Sequence, residues 1–314
     1  MKTKDFTPIR TDAPLKAAEL EIFRAVQRLA YECAETIAAE LTPGITEREV
    51  AAKMKRWLLE QGVNDWFHQP FAWFGDRTAF RGFGGFHPSF YPTGRKLEKN
   101  MPFILDCAPV KGGRVADIGY AGCIGTNPTL DRLMDDLCEH RQLILELIQQ
   151  RCSMAKVSRA VDQLCAKQGV EARHKAYPFS VLAHKVEAVN ERQWALNVGR
   201  FGVRSVANLT RQVRDGRRQG WSPLWNSSRH SDHPPAAGLW AVEPHLGFRG
   251  VGAKFEELLV ITENDAFWLD DDLPHVRRWQ LRGLMAPPVI AALPKKNSQR
   301  TKTATHAAKK QGIQ

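Results

Sequence analysis

The sequence predicts an α+β domain made of two similar halves, and three observations support this prediction. A long helical pattern, a turn, a shorter helical pattern and the tripeptide Gln-Gly-Val occur twice, with the tripeptides at residues 61–63 and 168–170. A strand-rich stretch follows each copy. Acidic residues and histidines recur in those short apolar runs. Two copies are too few for a solenoid, so we expect two half-domains that pack around a shared site.

Each copy carries the sequence signals of a helix pair. In the first copy, apolar residues recur with a helical period until Pro43-Gly44 ends the long helix, and residues 46–49 form a capping box for the short one. In the second copy, the long helix begins near Thr129 and Ser153 caps the short helix. We therefore expect a break between the long and the short helix in both copies.

Two aspartates lie in the strand-rich stretch between the copies. Asp106 is inside the apolar run 103–108, and Asp117 follows eleven residues later, beyond a Lys-Gly-Gly-Arg turn at residues 111–114. A hairpin over this stretch would bring the two carboxylates face to face. Buried carboxylates repel each other and are costly to desolvate, and a bound cation removes both penalties. The alternative for the hairpin alone is a pair of partly exposed acids without a ligand.

Three further polar residues lie in short apolar runs later in the chain: His184 in 181–186, Glu243 before a proline, and Glu256 before a Leu-Leu-Val strand. The ordered set of two aspartates, one histidine and two glutamates resembles the metal-binding signature of the pita-bread metallopeptidases. This family includes methionine aminopeptidases, aminopeptidases P, prolidases and creatinase-like enzymes. The resemblance covers about residues 15–272.

The resemblance implies a curved antiparallel sheet around two divalent metal ions, and this ligand chemistry suits Mn²⁺, Co²⁺, Zn²⁺ or Fe²⁺. Asp106 would chelate one ion, and Asp117 and Glu256 would bridge both. His184 and Glu243 would bind the other ion. Glu243 would also be catalytic, as the group that moves a proton between the water and the leaving amine.

His87 resembles a family histidine that faces the substrate and donates a hydrogen bond to the scissile carbonyl. A structural role in its Gly- and aromatic-rich loop is the alternative. The chain departs from the family pattern at several places. No second histidine follows His184 within residues 185–191, and residues 118–122 lack the usual Thr or Arg-Thr segment.

The stretch between His184 and Glu243 is long and rich in Pro, Trp and Ser, which predicts a lid or specificity loop. We expect His230, His233 or an arginine of the cluster at 200–218 to replace the missing histidine, and we assign both histidines to substrate binding. The arginine cluster could also bind phosphate or an acidic substrate, or be solvated surface.

Composition is that of a soluble globular protein, with 43% hydrophobic and 25% charged residues among 314. We find neither an apolar run long enough to span a membrane nor a secretory leader, and the six cysteines lack framework spacing. These features predict a cytoplasmic protein with reduced thiols. Part of the formal charge of +11 lies in the basic last twenty residues, where we expect a solvated tail rather than a nucleic-acid site.

We divide the chain into an N-terminal extension (1–11), a catalytic domain (12–275) and a linker with a basic, disordered tail (276–314). The leading prediction is a cytoplasmic, homodimeric metallohydrolase of aminopeptidase P type that cleaves an amide bond in a small or N-terminal peptide substrate. One alternative is a lyase that cleaves a C–N or C–S bond at the same metal site. Another is a non-catalytic peptide-binding module.

Overall fold

The computed structural model describes residues 16–85, 88–189 and 196–286. The α-helices in these ranges are α1 (Ala17–Ala39), α2 (Glu47–Glu60), α3 (Pro128–Gln149), α4 (Met154–Gln168), α5 (Val203–Gln219) and α6 (Pro274–Leu281). The strands are β1 (Asp65–Phe74), β2 (Pro102–Lys111), β3 (Arg114–Val115), β4 (Ile118–Cys123), β5 (Glu171–Ala172), β6 (Ala183–Val186), β7 (Asn197–Val198), β8 (Phe201–Gly202), β9 (Leu224–Trp225), β10 (Gly238–Val242), β11 (His245–Phe248), β12 (Val251–Lys254), β13 (Glu257–Ile261) and β14 (Ala266–Trp268).

The strands form three antiparallel sheets, which confirms the α+β prediction. The first sheet has the order β3-β2-β1-β8-β7, with β4 also paired to β2. The second has the order β14-β13-β10-β6-β9, and the third the order β12-β11-β5. A bridge between Gly119 and Glu256 connects the first sheet to the short link between β12 and β13. Strands from both halves of the chain therefore meet at this point.

The two predicted helix pairs are present, each with the expected break. Thr46 caps α2 in a capping box with Glu49. In the second pair, Asn127 caps α3, one residue before Pro128 begins the helix, and Ser153 caps α4. Gly169 ends α4 with a φ of 69°, a left-handed conformation that glycine adopts without strain.

The predicted hairpin is also present. Lys111 pairs with Arg114 across a two-residue turn, in which Gly112 and Gly113 have φ values of 57° and 69°. Positive φ at both positions matches the twist of the flanking strands, which explains the Gly-Gly sequence. Farther along, β2 pairs with β4 instead of β3. Asp117 lies between β3 and β4, outside both ladders.

Helix α6 crosses the predicted end of the catalytic domain at residue 275. Its Val276 and Trp279 are buried in the main hydrophobic core, and the indole of Trp279 donates a hydrogen bond to the carbonyl of Met134. Burial of these side chains contributes several kcal/mol, on the order of 2 each. The packed part of the chain therefore continues past residue 275. The N-terminal extension and residues 287–314 of the tail lie outside the described ranges.

The stretch predicted as a lid contains helix α5 and the short strands β7, β8 and β9. The part of this stretch around β8 is held against β1. His68 pairs with Phe201, and a Cβ on Gly202 would lie 1.8 Å from the carbonyl oxygen of Trp66, so this contact requires glycine. Ser205 also donates a hydrogen bond to the same carbonyl, at 3.3 Å. Along α5, the described part of this stretch forms a wall of the molecule.

Two simpler expectations concern membranes and thiols. None of the helices in the described ranges combines the length and the apolar character that a membrane span requires. All six cysteines are free, as expected, and burial raises the pKa of the Cys33 and Cys165 thiols to about 12. These thiols are therefore neutral packing groups.

Candidate metal centre and its apolar cavity

The structure brings the five predicted metal ligands together. Asp106 comes from β2, Asp117 from the segment before β4, and His184 from β6. Glu243 directly follows β10, and Glu256 directly precedes β13. All five side chains are buried. Strands of the two largest sheets and the residues that flank them thus supply a cluster of four carboxylates and one imidazole.

A second imidazole, that of His68 on β1, joins this cluster. Its Nε2 lies 3.1 Å from Asp117 Oδ1 and 3.3 Å from Asp106 Oδ1. The pairing of β1 with β2 shifts register on both sides of His68, where Gln69 and Pro70 interrupt the ladder. Because proline has no N–H to donate, such an interruption is expected there, and it sets which face of the sheet His68 occupies.

Both imidazoles direct Nε2 at Asp117. His68 Nδ1 lies 3.1 Å from the carbonyl of Gln69, and His184 Nδ1 lies 3.5 Å from that of Lys185. Since a carbonyl oxygen only accepts, Nδ1 carries a proton in each ring, as it does in metal-binding histidines, while Nε2 of each ring faces a carboxylate oxygen of Asp117. Burial lowers the pKa of His68, but the carboxylates of Asp117 and Asp106 outweigh it and raise the pKa to about 9.

Lys254, the last residue of β12, places its amino group among three carboxylates. Its Nζ donates to Asp106 Oδ2 at 2.7 Å, to Glu256 Oε2 at 2.8 Å and to Glu243 Oε2 at 3.1 Å. The ammonium also lies 4.9 Å from the ring centroid of Tyr177. Burial lowers the pKa of Lys254, but Asp106 and the other acidic neighbours raise it well above its ordinary value. The lysine is therefore a cation inside the cluster.

The carboxylates differ in their surroundings. Burial and the like charge of Glu256 raise the pKa of Glu243. Burial and the like charge of Asp117 raise the pKa of Glu256. Burial also acts to raise the pKa of Asp117, but the charge of His68 and the hydrogen bond from His184 outweigh it and lower that pKa.

Glu256 Oε1 is buried without a hydrogen-bond partner, so one lone pair of the cluster is free for a ligand.

The cluster lies at one end of an apolar cavity of about 630 Å³. Side chains of β1 form one wall, and the inward side of α5 forms another. The residues of these two walls are Phe67, His68, Phe71, Trp73, Val203, Val206, Ala207, Leu209, Thr210 and Val213. Tyr177, Phe179 and Val181 contribute from the segment before β6. Cavities of this size and lining are typical of small-molecule and peptide sites.

Of the remaining predicted site residues, His230 and His233 do not join the cluster. His87 lies outside the described residues. His230 is exposed in the turn 229–231. His233 is buried, but its Nε2 accepts from the backbone N–H of Ser222 at 3.0 Å and its Nδ1 donates to the carbonyl of Pro234 at 2.8 Å. Neither His230 nor His233 lines the cavity, so their assignment to substrate binding gains no support.

Sequence reasoning missed His68 and Lys254 as members of the site. For Lys254 a signal was available, because it precedes Glu256 by two residues and such positions share one face of an extended strand. His68 lies in the aromatic run 66–75, whose side chains contribute both to the core and to the cavity wall.

The comparison with protein families agrees with this geometry. The profile of metallopeptidase family M24 matches residues 21–263. The chain belongs to metallopeptidase family M24. Comparison of this M24 chain with curated proteins gave no match.

Solved structures show the same fold at low sequence identity. The X-Pro aminopeptidase of Thermotoga maritima superposes with a TM-score of 0.61 at 16% identity, over 83% of this chain and 63% of that one. The dipeptidase PepE of Mycobacterium ulcerans gives 0.60 at 20% identity, over 83% and 59%. The prolidase of Pyrococcus horikoshii gives 0.54 at 16% identity, over 81% and 62%. This M24 chain thus spans about 60% of the length of these proteins, and it has their pita-bread fold.

M24 enzymes bind divalent metals. In this chain, two groups of side chains could each hold such an ion. Asp117, His184 and Glu256 each offer a ligand atom within 4.8 Å of the others. His68, Asp106 and Asp117 form a second such group. The unpartnered Oε1 of Glu256 and the Nε2 of His184 are ligand atoms expected around a transition-metal ion.

Proposed function

We propose that this chain is a metal-dependent aminopeptidase of aminopeptidase P type that hydrolyses the amide bond after an apolar N-terminal residue. The observation that carries the proposal is the position of the carboxylate and imidazole cluster at the end of the apolar cavity. Such a cavity suits a large apolar side chain next to the reacting bond. The carboxylates suit the cationic α-amino group of a peptide.

The lining of the cavity favours a peptide longer than a dipeptide. Among the described lining residues there is no lysine or arginine. Apart from the two histidines that already contact Asp117, the free carboxylate of a dipeptide would find no cationic partner among these residues, and removing that carboxylate from water would be costly. In a longer peptide the carboxylate is distant from the site, which supports cleavage of N-terminal residues.

Residues of this chain suit the proton transfers of amide hydrolysis. Asp117, His184 and Glu256 would hold the ion, with Glu243 beside them, and a bound divalent ion would supply Lewis acidity and hydroxide at neutral pH. Glu243, with its raised pKa, takes up the proton released by water and delivers it to the leaving amine. His68 lines the cavity beside Asp117 and donates from Nε2 to the oxyanion that develops on the substrate carbonyl.

A peptide panel tests the proposal. The purified full-length chain, loaded in turn with Mn²⁺, Co²⁺, Zn²⁺ and Fe²⁺, would be assayed on tetrapeptides that begin with Phe, Leu, Met or Ala followed by Pro or Ala. We expect metal-dependent release of the large apolar residues and poor cleavage of the matching dipeptides. Glu243→Ala should lower both metal content and turnover, whereas His230→Ala, on the surface, should change neither.

The missing second histidine after His184 favours one other candidate, a lyase that uses the same ion as a Lewis acid on a C–N or C–S bond. Stoichiometric metal without any peptide turnover would support the lyase over the aminopeptidase. A purified chain that binds no metal would support a non-catalytic peptide-binding module and would contradict both enzyme proposals.

A further inference from the structure

We infer that the ammonium of Lys254 takes the place of one of the two metal ions, so that this chain binds a single divalent ion between Asp117, His184 and Glu256. The inference rests on the proposed function in that it assumes a metal centre at this cluster. It differs from the two-ion arrangement that the family resemblance implies. In the inferred arrangement, the side chain of Lys254 supplies a permanent positive charge to the site.

The hydrogen bonds of Lys254 already satisfy one side of the cluster. An ammonium has three protons, and Nζ donates to one oxygen each of Asp106, Glu243 and Glu256 at 2.7–3.1 Å. A divalent ion at this position would need the same oxygens at about 2.0–2.6 Å. The side chain of Lys254 is 1% exposed. The ammonium therefore excludes an ion bound through these three oxygens, and His68 Nε2 contacts the other oxygen of Asp106, Oδ1, at 3.3 Å.

Gly119 provides the space that the lysine occupies. A Cβ built on Gly119 would lie 2.3 Å from Lys254 Cε and 2.8 Å from Cδ. The φ of Gly119 lies outside the left-handed region, so backbone conformation does not require glycine there. The requirement is steric, because any larger residue would push the lysine out of the cluster. Gly119 belongs to the segment 118–122, which departs from the Thr or Arg-Thr pattern of the family.

The other side of the cluster remains available for one ion. Lys254 contacts Glu256 through Oε2, whereas Oε1 of the same carboxylate is buried without a partner. Asp117 Oδ2 and His184 Nε2 lie 3.3 Å apart and belong with Glu256 to one group of potential ligands. An unpartnered buried carboxylate oxygen beside an imidazole nitrogen is a ready ligand pair for a divalent ion.

Charge balance agrees with one ion. The cluster contains four carboxylates, those of Asp106, Asp117, Glu243 and Glu256. The ammonium and one divalent ion supply three positive charges, which leaves the site slightly negative. The ammonium and two divalent ions would supply five, which the four carboxylates balance only together with a further anion such as hydroxide.

Metal stoichiometry tests the inference. The purified full-length protein would be dialysed against Mn²⁺, and bound manganese per chain would be measured by mass spectrometry, with electron paramagnetic resonance as a second readout. We expect one Mn²⁺ per chain and an isolated-ion spectrum for the natural sequence. Lys254→Met should bind two, with the spectrum of a coupled pair, and Lys175→Met, a surface control, should bind one.

Gly119→Ala provides an independent route if Lys254→Met does not fold. Its methyl group should displace only the flexible end of Lys254, so we expect a second Mn²⁺ in this variant also. Two ions in the natural protein, none in it, or a single ion in both variants would overturn the inference. These measurements need no substrate. An active natural enzyme with two ions would refute the inference and leave the aminopeptidase proposal standing. One ion without peptide turnover would support the inference and contradict the aminopeptidase proposal.

Discussion

Arg141 of α3 donates two hydrogen bonds to Glu257 of β13, at 2.6 and 3.1 Å, and both side chains are buried. His275 of α6 donates to the same carboxylate at 3.0 Å. Glu257 directly follows Glu256, so this buried pair fixes the strand that presents a carboxylate to the candidate metal centre. It also connects a helix of the second pair to the C-terminal helix.

Arg141→Met should destabilise the protein by about 3–5 kcal/mol, because it leaves the buried charge of Glu257 without its main partner. Urea unfolding followed by circular dichroism measures this change. Lys53→Met is the control, since Lys53 and Glu40 form an exposed pair whose loss should cost at most about 1 kcal/mol. A similar, small loss in both variants would contradict this account of the pair.

His140 should make stability depend on pH. Burial lowers its pKa to about 4, whereas an unfolded chain binds the proton near pH 6.5. Between these values the unfolded state holds more protons, so stability falls as the pH falls from 6.5 towards 4. His140 accounts for about 2 kcal/mol of loss between pH 7 and pH 5.

His140→Gln should remove that part of the pH dependence. Nε2 of His140 donates to Gln168 at 2.9 Å, and glutamine retains an N–H donor without titrating. Urea midpoints of both proteins at pH 7 and pH 5 measure the difference, and other histidines and any bound metal affect both proteins equally. Parallel changes in the two proteins would show that His140 does not titrate as inferred.

His68→Ala should lower peptide turnover by about 10²–10³, the usual effect of losing one oxyanion donor. Bound Mn²⁺ should stay at one ion per chain, because the inferred ligands are Asp117, His184 and Glu256. Turnover and metal content would be measured on the same preparation, with His230→Ala as control. Loss of the metal together with activity would identify His68 as a ligand instead.

Ala207→Trp should narrow the cavity. Ala207 lies on the cavity side of α5, and an indole there would occupy space needed by large N-terminal side chains. We expect KM for Phe- and Leu-initiated peptides to rise by about tenfold or more, with Ala-initiated peptides less affected. Arg214→Trp, on the exposed side of the same helix, is the matched control. Equal effects of both variants on all peptides would argue against α5 as a specificity wall.

Local sequence signals were sufficient for several parts of the structure. The capping box at Thr46, the cap at Ser153 and the Gly-Gly turn at 112–113 depend on neighbours within a few residues, and all three are present. The convergence of Asp106 and His184, in contrast, could be expected only because the order and spacing of these residues resemble a known family.

The features that sequence did not predict depend on long-range packing. The position of His68 is set by a ladder interruption at Gln69 and Pro70, which no periodic pattern reveals. Helix α5 has few apolar residues, so the segment resembled a loop, and its structure depends on contact with β1. The replacement donor was sought at His230 and His233, which are closer in sequence to Glu243 but more distant from the cavity than His68.

The contact between Gly202 and Trp66 has a consequence for how such enzymes diversify. The residues of the candidate metal centre lie on β1, β2 and β6 and beside β4, β10 and β13, whereas much of the proposed wall for the substrate side chain is on helix α5, between β8 and β9. Natural variation can therefore alter substrate range by substitutions within Val203–Gln219 while the reacting centre stays unchanged. Gly202 is the junction that this variation has to preserve, because only glycine permits the close approach to β1.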